Sequence, residues 1–290
     1  MKFGIYYAFW EKEWGGDFLP YIEKASKLGF DILEVACGNL DLVSDSYCKE
    51  LAARSHDAEI MLTGGYGPRP EHDLSNPDIS VVKNGIEFYK KIFPKMQKAG
   101  IKTLGGALYS YWPVSDASKR DKNGDLERSI KNMQVLADIA ADNDITLNME
   151  SLNRFEGYLI NTAEECVSYV QEVGKPNVKV MLDTFHMNIE EDSFMDAIRM
   201  SKGLLGHFHV GEPNRRPPFA GGRIPWLEIA NALEEIGYDG DVVMEPFIRM
   251  GGQVGRDISI WRDLSSDADE AKMDDLARNS VMFLKKIFNR

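Results

Sequence analysis

The chain has 290 residues, of which 43% are hydrophobic, and it carries a formal net charge of −12 at pH 7. Its Lys and Arg residues are scattered rather than gathered into a basic stripe, which argues against nucleic-acid or membrane partners and favours a small, weakly charged substrate. We find no signal-peptide pattern and no apolar run of about 18 residues, the rough lower bound for a membrane span. Cys37, Cys48 and Cys166 show no metal-type spacing. We therefore expect a cytoplasmic protein with reduced thiols.

Strand-like and helix-like segments alternate along the whole chain. Apolar runs typical of buried strands cover residues 2–8, 32–37, 60–63, 103–109, 145–150, 178–186, 204–210 and 241–244. Helical patterns cover residues 18–28, 44–58, 77–99, 126–143, 162–173, a segment from 193, 225–237 and 271–288. Ser44, Thr162 and Ser193 are expected to cap three of these helices. The remaining long segments are predicted to be loops, at 116–125, 211–223 and 251–267.

Eight such units in strict alternation predict an α/β fold, a single (β/α)8 TIM barrel that forms one domain over residues 1–290. An open doubly wound sheet is the alternative, but the glycine fingerprint of dinucleotide-binding sheets is missing after the first strand. The glycines at 251, 252 and 255 follow the last strand. A flexible loop over the mouth of the barrel explains them better than a dinucleotide-binding fingerprint does.

Four of the strand-like runs carry, at or near their carboxyl ends, a residue that can bind a metal ion, namely Glu150, Asp183, His209 and Glu245. Side chains at the carboxyl ends of barrel strands share one mouth, which is where active sites lie. Three carboxylates in one mouth would raise one another's pKa unless a cation lay among them. Three oxygen ligands and one nitrogen suit Mn²⁺, Mg²⁺ or Co²⁺ better than a thiol-loving ion. Each residue alone is better explained as an ordinary strand-end polar group, whereas the four together indicate a site.

Several longer motifs make the interpretation more specific. They are GGALYSYWP (105–113), LNRFE (152–156), VMLDTFHMN (180–188), GHFH (206–209), RIPW (223–226) and VMEPF (243–247). With these motifs the chain resembles the ketose 3-epimerases, the D-psicose (D-allulose) and D-tagatose 3-epimerase family of xylose-isomerase-like barrels. Gly4-Ile-Tyr-Tyr7 and Trp14 also fit that family, so the resemblance covers essentially the whole chain.

The resemblance implies an isomerase that epimerises free ketohexoses at C3, such as D-fructose to D-psicose. It makes Glu150, Asp183, His209 and Glu245 the ligands of a divalent ion, Mn²⁺ in the first place and Co²⁺ or Mg²⁺ otherwise. Glu150 and Glu245 would also be the acid/base pair. The substrate-binding residues it implies are Glu156, His186 and Arg215 around O1 to O3, with Tyr6, Trp14, Gly65, Leu108, Trp112 and Phe247 around the rest of the sugar. Relatives of this kind further suggest a homodimer or a homotetramer.

The chemistry gives independent reasons for these residue types. The C3 proton of a ketose is weakly acidic until the C2 carbonyl is polarised, and a divalent ion on O2 and O3 would polarise it and stabilise an enediolate. Inversion requires removal of the proton on one face and its return on the other, which two opposed carboxylates allow. His186 and Arg215 would donate to the oxygens where negative charge develops.

Each supporting residue also has a simpler explanation. His186 could be a satisfied strand-end histidine, the charges of Glu156 and Arg215 could be solvated in loops, and the two tryptophans could be packing residues. The loop 211–223 departs from the family pattern, with Pro213 where relatives usually have cysteine, so its path and the preferred ketose stay open.

Three other functions compete with epimerisation. An aldose–ketose isomerase on the same barrel could share the ligand set, and analysis of the products from D-fructose separates it from an epimerase. A metal-dependent endonuclease would need more than the five histidines present, together with a basic groove. A sugar-binding protein without catalysis would not require two opposed carboxylates. An assay for metal-dependent turnover would distinguish such a protein from an epimerase.

Overall fold

The computed structural model describes residues 1–114, 116–118 and 120–288. Within these ranges eight parallel strands pair in chain order and close into a barrel, because the first strand pairs with the eighth as well as with the second. The predicted TIM barrel is confirmed. The strands are β1 (Lys2–Tyr6), β2 (Ile32–Ala36), β3 (Met61–Gly65), β4 (Thr103–Gly106), β5 (Thr146–Glu150), β6 (Val178–Asp183), β7 (Leu205–Val210) and β8 (Asp241–Met244).

The helices pack around the outside of the barrel and between its strand ends. In the described ranges they are α1 (Leu19–Leu28), α2 (Asp45–Asp57), α3 (Ile79–Lys98), α4 (Lys122–Ala141), α5 (Ala163–Val173), α6 (Thr184–Glu190), α7 (Phe194–Met200), α8 (Trp226–Glu235), α9 (Gly252–Asp257) and α10 (Glu270–Phe288). The predicted caps are confirmed, since the side chains of Ser44, Thr162 and Ser193 each accept a hydrogen bond from a backbone N–H of the first turn.

Apolar side chains on both faces of the strands form the core. Phe3 and Ile5 of β1 are fully buried, as are Ile92 and Phe93 on the inner face of α3. Burying a side chain of this size contributes about 1.5–3 kcal/mol, so strands covered on both faces need nearly continuous apolar sequence. The ring of Phe3 meets that of Phe288 edge-on at 6.0 Å, which fastens α10 to the barrel.

The boundary after β6 differs from the prediction. The strand ends at Asp183, and His186 lies in the first turn of α6 rather than at a strand end. The side chain of Asp183 accepts a hydrogen bond from the backbone N–H of Phe185 at 2.8 Å and so caps α6. A continuous apolar run does not distinguish a buried strand from a strand followed directly by a helix, which explains the error.

Boundaries elsewhere also differ from the prediction. The strand β4 ends at Gly106 rather than at residue 109, and α9 lies inside the segment 251–267 that was predicted to be a loop. The helix α4 begins at Lys122, four residues before the prediction, because Asp121 caps it by accepting from the backbone N–H of Gly124 at 3.2 Å. Of the loop predicted at 116–125, Lys119 lies outside the described residues.

No helix in the part of the chain that the structure describes is both long and apolar enough to span a membrane. The assignment of residues 1–290 to one domain stays a prediction, and residues 115, 119, 289 and 290 of that range are not among those described.

Candidate active site

The carboxyl ends of β5 to β8 bring the four predicted ligands together. Glu150 ends β5, Asp183 ends β6, and Glu245 directly follows β8. His209 lies in β7 opposite Asp183 in the register of the two strands. Each of the four offers one ligand atom, and these atoms all lie within 4.8 Å of one another. Glu150, Asp183 and His209 are buried, so bulk water screens their charges weakly.

The donor set of this cluster fits a divalent cation. Burial raises the pKa of Glu150 well above its ordinary value, and the carboxylates of Glu245 and Asp183 raise it further. Oε1 of Glu150 and Nδ1 of His209 are buried and have no hydrogen-bond partner among the described residues. Such atoms cost free energy when unpaired, and a cation among them would satisfy both and keep the carboxylates ionised. Three oxygens and one nitrogen suit Mn²⁺, Mg²⁺ or Co²⁺.

His186 presents one ring nitrogen to this cluster. Its Nδ1 accepts a hydrogen bond from the backbone N–H of Asn153 at 3.1 Å and lies 2.8 Å from the side-chain amide of the same residue. Because Nδ1 accepts, the proton of a neutral ring resides on Nε2, which lies 3.7 Å from Glu150 and 3.9 Å from Asp183. Burial lowers the pKa of His186, which favours that neutral ring. His186 is therefore placed as a hydrogen-bond donor towards the cluster.

Arg215 is a buried cation that bridges three carboxylates. Its Nη1 lies 3.0 Å from Oε2 of Glu245 and 3.3 Å from Oδ2 of Asp183, and its Nη2 lies 3.3 Å from Oε1 of Glu156. Burial would lower the pKa of Arg215, but these carboxylates outweigh it and raise the pKa. The guanidinium carbon also lies 3.7 Å from the centre of the Phe185 ring, which fixes the plane of the group.

The path of the loop 211–223, left open by the sequence, is set by a buried carboxylate. Glu212 accepts from the indole N–H of Trp226 at 3.0 Å and from the backbone N–H of Arg223 at 2.9 Å. Arg215 has a φ of 61° in the left-handed region, and its carbonyl accepts from the backbone N–H of Phe247 at 2.9 Å. The loop therefore folds back over the barrel and turns Arg215 inward.

Glu156 faces the same cavity from the loop after β5. It accepts from the indole N–H of Trp112 at 3.0 Å and from the side-chain amide of Asn153 at 3.1 Å. Burial would raise the pKa of Glu156, but Arg215, His186 and these two hydrogen bonds outweigh it and lower the pKa. The carboxylate is therefore held in its ionised form and faces the cavity.

Aromatic rings form the opposite wall of the cavity, which has a volume of about 460 Å³. The ring of Phe247 lies 6.2 Å from that of Tyr6 and 6.0 Å from that of Trp14, and the rings of Trp14 and Trp112 are 6.0 Å apart. The indole N–H of Trp14 donates to Asp257 of α9 at 2.7 Å, which ties the wall to the helix over the mouth. A pocket with apolar walls and a few convergent polar groups is typical of small-molecule sites.

Comparisons with known proteins place this site in a family. Residues 22–280 match the family model described as "Xylose isomerase-like TIM barrel". The chain is 51% identical over 287 residues to a D-psicose 3-epimerase of Ruminiclostridium cellulolyticum, covering 99% of this chain and 98% of that protein. It is 52% identical over 283 residues to a D-psicose 3-epimerase of Agrobacterium fabrum, with 98% of each chain covered. The chain belongs to the ketose 3-epimerase family.

Solved structures support the same placement. The crystal structure of D-psicose 3-epimerase with D-tagatose from Clostridium cellulolyticum H10 has a TM-score of 0.97 to this chain, at 51% identity and 99% coverage of both chains. A crystal structure of D-psicose 3-epimerase in the presence of D-fructose has the same TM-score and identity and covers 100% of both. The predicted resemblance to ketose 3-epimerases and the predicted isomerase class are confirmed.

The structure of this family member brings together all but one of the predicted site residues. The predicted substrate-binding residues that line the cavity are Tyr6, Trp14, Gly65, Trp112, Glu156, His186, Arg215 and Phe247. Leu108 is fully buried and does not line it, whereas Gly106 and Ala107 do. Position 106 requires glycine, because its φ is 127° and because a Cβ there would collide with the carbonyl oxygen of Tyr66. This bend ends β4 earlier than predicted and turns Leu108 into the core.

Sequence reasoning missed three residues that support the candidate site, namely Glu34, His207 and Asn153. Glu34 lies 2.7 Å from Nε2 of His209 and 2.9 Å from Nε2 of His207, and all three are buried. Asn153 holds the ring of His186. Glu34 was detectable as the one charged residue in the apolar run 32–36, and His207 faces the same way as His209 because side chains alternate along a strand. Asn153 gave no comparable signal, because asparagine is common in loops.

Proposed function

We propose that the chain catalyses the metal-dependent C3 epimerisation of free ketohexoses, interconverting D-fructose and D-psicose. The observation that carries this proposal is one cavity in which Glu150 and Glu245 stand at the ends of separate strands, with His186 and Arg215 beside them. The names of the relatives, D-psicose 3-epimerases at 51% and 52% identity over nearly the whole chain, support it.

The two glutamates supply the proton transfers. One carboxylate removes the proton from C3, and the electron pair of the broken C–H bond forms an enediolate with C2 and its oxygen. The other glutamate, protonated, returns a proton to the opposite face of C3, so the configuration inverts and the reaction is reversible. β5 and β8 are separated by two strands on one side of the barrel and four on the other, which lets the two side chains approach a sugar from different directions.

His186 and Arg215 stabilise the charge that develops during the reaction. The Nε2–H of His186 and the guanidinium of Arg215 point at the cluster before substrate arrives, so little reorganisation is needed when negative charge appears on the sugar oxygens. Glu156 accepts hydrogen bonds from hydroxyls at the same end of the ketose, and the aromatic wall covers the remainder of the sugar and excludes water.

Glu150, Asp183, His209 and Glu245 would hold the proposed cation. A divalent ion bound there would polarise the C2 carbonyl and lower the energy of negative charge on the neighbouring oxygens. We propose Mn²⁺ as the ion, with Co²⁺ or Mg²⁺ as substitutes, because the ligand set is rich in oxygen.

Product analysis tests the proposed function. Metal-stripped protein is given Mn²⁺ and, in parallel, D-fructose, D-psicose, D-tagatose or D-sorbose, and the sugars are separated by chromatography. We expect D-psicose from D-fructose and the reverse reaction. The amounts of product formed from the four ketoses rank them as substrates. Formation of an aldose from D-fructose, without D-psicose, would contradict the proposal and support an aldose–ketose isomerase.

We also propose that the enzyme is a cytoplasmic homodimer or homotetramer. The three cysteines are buried and unpaired, as thiols in a reducing compartment are. Large apolar side chains lie on the surface, among them Leu42, Phe155 and Trp261 with 78%, 75% and 72% of their area exposed, and an interface between copies would be able to bury such groups. Sedimentation velocity at several concentrations tests the subunit number, and a monomer at all of them would contradict the oligomer.

A further inference from the structure

Glu34 lies directly beneath the proposed cation site, inside the barrel. It is 1% exposed, and its Oε1 lies 2.7 Å from Nε2 of His209. Its Oε2 accepts a hydrogen bond from the hydroxyl of Thr63 at 2.9 Å and lies 2.9 Å from Nε2 of His207. A carboxylate buried in a barrel is unfavourable unless neighbouring donors compensate it, and here the hydroxyl of Thr63 from β3 and Nε2 of His209 from β7 lie at hydrogen-bond distance.

The contact with Glu34 determines which nitrogen His209 turns to the cluster. When Nε2 donates its proton to the Glu34 carboxylate, a neutral His209 ring carries its lone pair on Nδ1. That Nδ1 lies 3.7 Å from Oε2 of Glu245 and has no hydrogen-bond partner among the described residues. The other neutral tautomer, with the proton on Nδ1, would set the Nε2 lone pair against the Glu34 carboxylate and leave no lone pair towards the cluster.

We propose that Glu34 is a positioning residue for the cation, acting through His209. Resting on the proposed function, this role deepens it: Glu34 fixes the tautomer and the orientation of the imidazole and raises the basicity of its Nδ1. Carboxylates that accept from the second nitrogen of a metal-binding histidine have this effect, and their loss typically weakens metal binding about 10- to 100-fold. Thr63 contributes by holding the carboxylate of Glu34 in place.

A second cation among Glu34, His207 and His209 is the competing explanation, because these residues also offer ligand atoms within 4.8 Å of one another. The separation of 2.7 Å between Glu34 and His209 is a direct hydrogen-bond distance, which favours a shared proton over a shared ion. The two explanations differ in stoichiometry, with one cation per chain for the positioning role and two for the competing site.

Calorimetric titration of Mn²⁺ into metal-stripped protein tests the proposal without relying on catalysis. Glu34→Gln keeps the size and one acceptor oxygen but removes the charge. We expect one Mn²⁺ per chain in both proteins and a Kd about 10- to 100-fold higher in the variant. We also expect KM for D-psicose at saturating Mn²⁺ to equal that of the wild type, because Glu34 does not line the cavity.

Asp125→Asn is the matched control. Asp125 is another buried carboxylate, 2% exposed, which accepts from Arg120 at 2.8 Å and from Tyr158 at 2.6 Å and does not line the cavity. We expect this variant to lose thermal stability but to keep the wild-type affinity for Mn²⁺. If Glu34→Gln and Asp125→Asn both weaken Mn²⁺ binding, the effect of Glu34→Gln is one of general destabilisation. That result would overturn the positioning role.

Thr63→Val provides a second variant that keeps the carboxylate of Glu34 and removes one donor to it. We expect it to weaken Mn²⁺ binding in the same direction but less, and it decides the question if Glu34→Gln does not fold. The proposal is overturned if Glu34→Gln folds and binds Mn²⁺ with wild-type affinity, or if only Thr63→Val folds and does so. Two Mn²⁺ per chain in the wild type would also overturn it. Absence of Mn²⁺ binding in the wild type would instead contradict the cation site on which the proposal rests.

Discussion

At the level of single residues, Arg215 explains how the candidate site accommodates several acidic groups. Its guanidinium reaches Asp183, Glu245 and Glu156, so part of the repulsion among carboxylates is offset by a side chain of the protein itself. The proposed cation and the arginine would have different tasks, because the arginine also faces the cavity and can donate to a ligand. Its planar group serves several acceptors at once, which a lysine ammonium on a flexible stem does less well.

His186→Ala tests the role assigned to the neutral imidazole. Removing a preorganised donor from a site where negative charge develops costs about 10²–10³ in kcat, and we expect a higher KM as well. The Mn²⁺ content of the variant should equal that of the wild type, measured by elemental analysis after dialysis. Loss of Mn²⁺ from a folded variant would place His186 among the metal ligands and contradict its assignment as a substrate donor.

At the level of secondary-structure elements, the loop after β5 is fastened to α6 by one ion pair. The side chain of Arg154 donates to both oxygens of Glu190 at 2.7 and 2.9 Å, and its backbone N–H donates to one of them at 2.7 Å. The same loop carries Asn153 and Glu156, which contact His186 and Arg215. The ion pair between Arg154 and Glu190 therefore stabilises the loop that brings Asn153 and Glu156 to the candidate site.

Glu190→Gln tests this support through the pH dependence of stability. The hydrogen bonds from Arg154 lower the pKa of Glu190 in the folded protein. A lowered folded-state pKa contributes stability that is present above the unfolded pKa of about 4.3 and is lost as the pH falls through the folded-state pKa. We expect the variant to melt roughly 1–3 °C lower at pH 7, since one of the two partners is exposed, with the difference shrinking towards pH 3.

Melting curves of wild type, Glu190→Gln and Asp192→Asn at pH 7, 5 and 3 provide the measurement. Asp192 is an exposed carboxylate two residues further along, so its variant controls for the loss of one surface charge. A difference between Glu190→Gln and wild type that is equal at all three pH values would contradict the assigned cause.

The alternation of elements was predictable from the sequence because both signals are local. The apolar run that stops at Glu150 marked a strand end, and Thr162 and Ser193 marked helix starts. The position of His186 was not predictable, because the run from Val178 continues through Thr184 and Phe185 in a pattern that suits a strand or a helix equally. The burial of Leu108 was not predictable for a related reason, since only the φ of Gly106 reveals where β4 ends.

The candidate site was predictable for residues at strand ends but not for the layer beneath them. A barrel topology converts strand-end positions into neighbours without knowledge of side-chain contacts, which is why the four ligands could be grouped from sequence. The contact of Glu34 with His209 joins residues 175 positions apart across the interior, and the pairing depends on side-chain orientation that no local pattern encodes.

At the level of the whole molecule, the cation should couple to the stability of the barrel. The four ligands come from β5, β6, β7 and the end of β8, so an ion bound only by the folded state holds half of the barrel together. At a free Mn²⁺ concentration 100 times Kd, such binding stabilises the folded state by about 2.7 kcal/mol. We expect the melting temperature to rise roughly 5–10 °C over that of the chelated protein.

Differential scanning calorimetry with Mn²⁺, with Ca²⁺ and with a chelator measures this coupling. Activity assayed in the same samples should disappear on chelation and return with Mn²⁺ or Co²⁺. A melting temperature that does not change between the chelated and the Mn²⁺-loaded protein, together with full turnover of the chelated sample, would exclude the metal from both roles.

The central claim is that Glu150 and Glu245 exchange the C3 proton on opposite faces of the sugar. Glu→Gln at either position keeps the size and one coordinating oxygen but removes the basicity, so each variant should lose at least about 10²-fold in epimerisation. Incorporation of deuterium at C3, followed by NMR in D₂O from D-fructose and from D-psicose with Mn²⁺ content measured in parallel, tests this directly. We expect each variant to exchange the proton of only one epimer, with Glu150→Gln and Glu245→Gln retaining opposite epimers. Near wild-type epimerisation by both variants would contradict the two-carboxylate mechanism.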